Sequence, residues 1–136
     1  MKHASSLAAA AGLLFGVAAG TGSPAQAAPD IAAGRIVLTN NDNGHTTPAK
    51  TGDTVEVKLR AIQVNGQRWV WDEPRASDDQ LLSKSAGRVA PNGDAQATFD
   101  AVDAGRGTIT AHRRCVSPKD SCPQTVHEWT VTVDIQ

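Results

Sequence analysis

The sequence predicts an all-β chain in which two sheets pack face to face, with about seven strands. Three observations predict it. Short segments alternate apolar and polar residues with period two, Gly, Asn, Asp and Pro interrupt them at short intervals, and no segment holds a helical period for three turns. Composition agrees with a folded domain: 40% of the 136 residues are hydrophobic and 20% charged, which argues against a disordered or collagen-like chain. The 13 basic and 14 acidic residues nearly cancel, which speaks against a nucleic-acid partner, and three Trp, two Phe and no Tyr leave little for base stacking.

Residues 1–27 read as a secretory signal peptide. Lys2 and His3 open it, an Ala-rich apolar run from Leu7 to Gly20 without an acidic residue follows, and Gly22-Ser23-Pro24 breaks that run ahead of Ala25-Gln26-Ala27, an Ala-x-Ala cleavage site. The cut falls after Ala27 or Ala28. The run is short for a membrane span, which needs about 20 apolar residues, and no stop-transfer flank follows, so an uncleaved anchor is disfavoured. Residues 28–136 then form one domain of formal charge about −2. It is expected as a monomer in an extracellular or periplasm-like space, free of the membrane.

The strands follow in order. Arg35–Thr39 is the first, closed by the turn Asn40-Asn41-Asp42-Asn43-Gly44. Thr51-Gly52-Asp53 turns the chain into Thr54–Ile62, where Val55, Val57, Leu59 and Ala61 alternate with Glu56, Lys58 and Arg60: one face is buried and one wet. Val64-Asn65-Gly66-Gln67 is a loop with an Asn-Gly turn. Arg68–Asp72 is the next strand, with Trp69 and Trp71 on one side, so that one of them anchors the core. Leu81 and Leu82 mark a short strand or turn, and Gly87–Asp94 is a loop. Ala95–Ala101 alternates again, Gly107–Arg114 carries Ile109 and Ala111, and the last strand runs from about His127 to Ile135. Strands of this number and spacing fit an immunoglobulin-like β-sandwich. Three connections, Gln63–Arg68, Gly87–Asp94 and Arg113–Gln124, would gather at one end.

Export places Cys115 and Cys122 in an oxidising compartment, and an even pair reads as a disulfide. It would close the connection between the last two strands and contribute roughly 2–3 kcal/mol by the loop-entropy model. Zinc is the competing reading. It would draw on His112 and His127, but the six residues between the cysteines depart from the usual two to four.

Catalytic chemistry finds little support. There is no Gly-x-Ser-x-Gly elbow and no His-Glu-x-x-His, since His127-Glu128 is followed by Trp129-Thr130. A disulfide would withdraw both thiols. The Asn40–Gly44 segment resembles the opening of a calcium loop, but Thr46, Thr47 and Pro48 stand where ligands should follow, so a plain turn is the better reading. Asp78-Asp79 is a solvated acidic pair. No enzyme, cofactor or metal is expected.

One resemblance spans the chain from about Arg35 to Ile135. Asn43-Gly44, Gly52-Asp53-Thr54-Val55, the Gly before Trp69, Phe99, Gly105-Arg106-Gly107-Thr108-Ile109, Arg113-Arg114 and Trp129-Thr130-Val131-Thr132-Val133 together resemble the chagasin-type inhibitors of papain-like cysteine proteases. The Ala-rich leader suits a secreted bacterial member. The resemblance implies an immunoglobulin-like sandwich whose three clustered loops wedge into a protease cleft. It puts Asn65, Gly66, Gln67 and Arg68 on the first loop, Gly87, Arg88, Asn92 and Gly93 on the second, and Arg113 and Arg114 at the start of the third. The family's first loop reads Asn-Pro-Thr-Thr-Gly-aromatic, of which Gly66 matches while Gln67 replaces the aromatic; its third reads Arg-Pro-Trp, whereas Cys115 follows Arg114 here. A non-inhibitory extracellular binding module on the same scaffold is the alternative.

Overall fold

Ten strands run through the residues that the computed structural model describes, 33–117 and 122–136: β1 (Arg35–Thr39), β2 (Thr46–Ala49), β3 (Thr54–Leu59), β4 (Ile62–Val64), β5 (Gln67–Trp71), β6 (Arg75–Ala76), β7 (Leu82–Val89), β8 (Ala95–Ala101), β9 (Gly105–Val116) and β10 (Val126–Ile135). The signal peptide expected at 1–27 and the first residues of the expected domain lie outside the described residues.

The strands form two sheets packed as a sandwich. One has the order β1-β3-β8-β7; the other has the order β2-β10-β9-β5-β4, with β6 beside β9. Alternation does the sorting. In β3, Val55, Val57 and Leu59 point inward, and they pair across an antiparallel ladder with Phe99, Ala97 and Ala95 of β8. From the facing sheet, Ile109, Trp129, Val131 and Val133 fill the other half of the core; all of these are buried. Burying a side chain of this size is worth about 1.5–3 kcal/mol. On the outer face of β3 the carboxylate of Glu56 is also buried, held between the charged ends of Arg35 and Lys58.

The chain changes sheets after β1. Thr39 caps a short 3-10 turn, Asn40–Asp42: its hydroxyl accepts from Asn41 N at 3.4 Å, and the Asp42 carboxylate accepts from Thr39 N at 2.7 Å. β1 therefore lies parallel to β3, while β2 lies parallel to β10 on the other sheet.

Strand boundaries differ from the sequence reading most at three places. The segment Thr54–Ile62 is broken, because the amide of Asn40 takes both backbone groups of Arg60: Arg60 N donates to Oδ1 at 2.8 Å and Arg60 O accepts from Nδ2 at 2.9 Å. Freed from its own ladder, the chain crosses to the second sheet as β4. The short edge strand β2 carries Pro48, which blurs its pattern. The third difference is β7, one continuous edge strand through Val89, with a register irregularity between Lys84 and Ala86. Its residues beyond Leu82 are mostly exposed, so no alternation announces it.

Two tryptophans tie the sheets together. Trp129 on β10 donates its indole N–H to Thr39 O at 3.0 Å, and Trp71 on β5 donates to Arg60 O at 2.9 Å. Both indoles are thereby buried without an unpaired donor. At the opposite end of the sandwich, the Asp53 carboxylate accepts from Gly34 N and Lys50 N, each at 2.8 Å. The Lys50 bond first, then the Gly34 bond, hold its pKa below the usual carboxylate value.

Candidate functional site

Three connections meet at the end of the sandwich where β3, β7 and β9 finish and β5, β8 and β10 begin. The first is the two-residue turn Asn65-Gly66 joining β4 to β5. Both residues have positive φ, 53° and 77°, which is the backbone a tight hairpin requires and which Asn-Gly supplies.

The second connection is Ala90–Asp94. It closes on itself through Ala90 N to Asp94 O at 2.8 Å and Gly93 N to Ala90 O at 2.9 Å. It is also fastened to the first connection. Ala61 N donates to the Asp94 carboxylate at 2.8 Å, Trp71 N donates to Gly93 O at 3.0 Å, and Arg68 donates through Nε to Asn92 O at 3.1 Å and through Nη2 to Pro91 O at 3.2 Å. The third connection joins β9 to β10 and is closed by the Cys115–Cys122 disulfide, with the Cα atoms 5.5 Å apart. Residues 118–121 of this connection lie outside the described residues.

The predicted site residues divide accordingly. Asn65 and Gly66 form the hairpin turn, and Asn92 and Gly93 sit in the second connection; Arg68, at the start of β5, links the two. Gln67 opens β5. Gly87 and Arg88 are a correction: they belong to β7, paired with Ala97 and Gln96, so the loop begins only at Ala90. Gly87 faces Glu73, whose carboxylate a Cβ there would overlap. Arg113 and Arg114 lie in the strand, as the expected Gly107–Arg114 has them, and only the start of the third connection moves, from Arg113 to beyond Val116. β9 continues through both to Val116, paired with Val126 and His127 of β10.

Strand parity separates these two arginines. Arg114 is exposed, whereas Arg113 continues the inward series Ile109, Ala111. Its guanidinium carbon lies 5.7 Å from the ring centres of both Trp69 and Trp71. Both tryptophans are buried, Trp71 within the main core and Trp69 beneath Arg113, and His127 meets Trp69 edge-on at 5.1 Å. On the outer face of the same strands His112 lies between two carboxylates, with Nδ1 3.4 Å from Asp72 and Nε2 3.3 Å from Glu128. These are ordinary surface pairs, and among the described residues no group of three His, Cys, Asp or Glu is arranged to hold a metal.

Two features of this end escaped the sequence reading. Val64, Val89, Val116 and Val126 are large exposed apolar side chains, and each closes or opens a strand beside one of the three connections. A valine adjoining a Gly/Asn turn or a cysteine was the available signal. The end is also rich in arginine: Arg60, Arg68, Arg88, Arg113 and Arg114 lie there, in a chain of net charge −1.

No protein-family model matches the chain, and no curated protein matches it. Solved structures do. A cysteine protease inhibitor from Entamoeba histolytica, EhICP2, superposes with a TM-score of 0.51 at 16% identity, over 76% of this chain and 96% of the other. Amebosin gives 0.45 at 18% identity, over 75% and 98%, and an inclusion body protein from Burkholderia cenocepacia gives 0.43 at 11%, over 65% and 63%. The first of these speaks for the fold alone, and the other two add no weight to it. The chain is an all-β sandwich sharing its architecture with that inhibitor.

Proposed function

We propose that this chain is a secreted inhibitor of papain-like cysteine proteases, with residues 28–136 as the mature domain, and that the three-connection end enters the protease cleft as a wedge. One observation supports this most: the connections converge on a single end, are stiffened there by hydrogen bonds and a disulfide, and are bordered by Val64, Val89, Val116 and Val126. Pre-organised tips lose little entropy on binding, and a patch of exposed apolar side chains at such tips marks a contact surface. The resemblance to chagasin-type inhibitors gives the partner class. Asn65, Gly66, Gln67, Arg68, Asn92, Gly93 and Arg114 are the proposed contacts, with Arg88 at the flank. In this reading the domain has no catalytic role.

Titration of papain with the protein tests the proposal. Inhibition should fall about tenfold or more in Val89→Asp and Val126→Asp, which put charge on the wedge. It should be unchanged in Val102→Asp, an equally exposed valine at the opposite end. No inhibition at micromolar protein would sink the proposal. A second reading, an extracellular binding module without inhibitory activity, is favoured by the burial of Trp69 and Trp71, which leaves the described tips without an aromatic anchor. Folded protein inert towards papain would leave that reading standing.

A further inference from the structure

Beside the tips, where the Asn40–Asn43 turn meets β5, β9 and β10, a cavity of about 270 Å³ opens. Asn40, Asn43, Trp71, Arg113, His127 and Glu128 are among the residues that line it. Among the described residues, Arg113 is its one arginine or lysine. The guanidinium is fixed from inside the sandwich by the faces of Trp69 and Trp71, and its Nε is buried with no hydrogen-bond acceptor. A buried donor left unpaired costs free energy, and a guanidinium donor is the costlier kind. Among the described residues no carboxylate pairs with it. Among the described residues the one acidic group on the cavity wall is Glu128, and it is engaged elsewhere: Oε2 lies 3.3 Å from His112 Nε2 and Oε1 accepts from Thr130 Oγ1 at 3.1 Å. Asn43 gives its amide oxygen to Thr130 N at 2.9 Å, which leaves the amide nitrogen as a second donor.

We propose that this cavity is a binding site for a carboxylate group, taken by Arg113 with Asn43 beside it. A planar carboxylate matches the fork of a guanidinium set over two indole rings, and can take two of its N–H groups at once. The further arginines at this end raise the local positive potential and favour an acidic visitor. The carboxylate belongs to a glutamate or aspartate side chain or to the C-terminus of a polypeptide. The site stands apart from the protease reading and needs no protease for its test.

Isotope-labelled protein is titrated with N-acetylglutamate N-methylamide, for the side-chain source, and with N-acetylglycine, for the terminal one, while the Arg113 Nε–H resonance is followed by NMR. Chloride and inorganic phosphate serve as reference anions. At least one carboxylate should shift the Nε–H resonance saturably, with an affinity of about millimolar. Arg113→Lys should weaken this about tenfold or more, read by tryptophan fluorescence, because the charge stays and the fork is lost. Arg106→Gln, at the far end, should change nothing. The source that saturates first identifies the ligand. Saturation by neither carboxylate overturns the proposal, and so does a response to phosphate alone or an equal response to chloride. Because the wild-type resonance is itself the readout, a variant that folds poorly does not spare the proposal.

Discussion

Replacing Gly93 by alanine should be among the most costly single-methyl additions in this domain, and the structure says how costly. Gly93 has φ +95°, a backbone that side chains avoid, at roughly 1–2 kcal/mol. A Cβ would also overlap Cγ1 and Cβ of Val70 and stand 3.2 Å from the Cβ of Ala61. The Val70 methyl can rotate, but the two Cβ atoms are fixed by the backbone, and that of Val70 cannot yield without moving β5, whose Trp71 N–H is bonded to Gly93 O. Such overpacking adds about 1–3 kcal/mol, so Gly93→Ala should cost about 2–5 kcal/mol. Urea unfolding followed by tryptophan fluorescence would show a midpoint lower by about 1–3 M. Gly87→Ala is the contrast. Its Cβ meets the free end of Glu73, which can turn away at the cost of the 2.9 Å Lys84–Glu73 pair, worth no more than about 1 kcal/mol. Val70→Ala removes one of the offending atoms and should relieve Gly93→Ala by roughly 1–2 kcal/mol in a double-mutant cycle. The reasoning fails if the two glycine variants cost the same, or if the cycle shows no coupling.

Three other outcomes are expected. Changing Cys115 and Cys122 together to serine should lower stability by about 2–3 kcal/mol by urea unfolding, and hydrogen exchange should quicken first where β9 meets the start of β10. Trp129→Phe should lose about 2–4 kcal/mol, since it opens space in the centre of the core and leaves Thr39 O without its indole donor; calorimetry would read this as a lower Tm. Asp53 binds its proton less readily folded than unfolded, so its contribution is complete above the ordinary carboxylate pKa and is lost as pH falls through the lower folded value. Stability measured from about pH 5 to pH 2 should therefore fall less steeply in Asp53→Asn than in the wild type.

Where both faces of a strand have clear and opposite surroundings, the sequence announces it. β1 and β8 have the boundaries expected from alternation, and the inward sets of β3 and β10 are the ones that the valines and Trp129 mark. β7 does not announce itself: at the edge of its sheet, Ser83 to Val89 have no second layer to face, so nothing selects apolar residues at every other position. The break after Leu59 was invisible for a different reason, because it depends on the amide of Asn40, 20 residues away. At the candidate site, the Asn-Gly turn and the cysteine pair were legible as local chemistry. The turning inward of Arg113 was legible only through parity with Ile109 and Ala111, and the second connection shrank because Gly87-Arg88-Val89 found partners in β8.

The ribbon Arg35–Ala49 has a consequence for how this molecule tolerates loss of its front end. Its first half seals the flank of one layer and its second half the flank of the other, with the Asn40–Asp42 turn as the step between. Trimming by a protease past Ala49 would thus bare two rows of hydrogen-bonding groups at once, along β3 and along β10. Loss of the ribbon would turn a self-contained particle into one with two adhesive margins, prone to associate with its own kind.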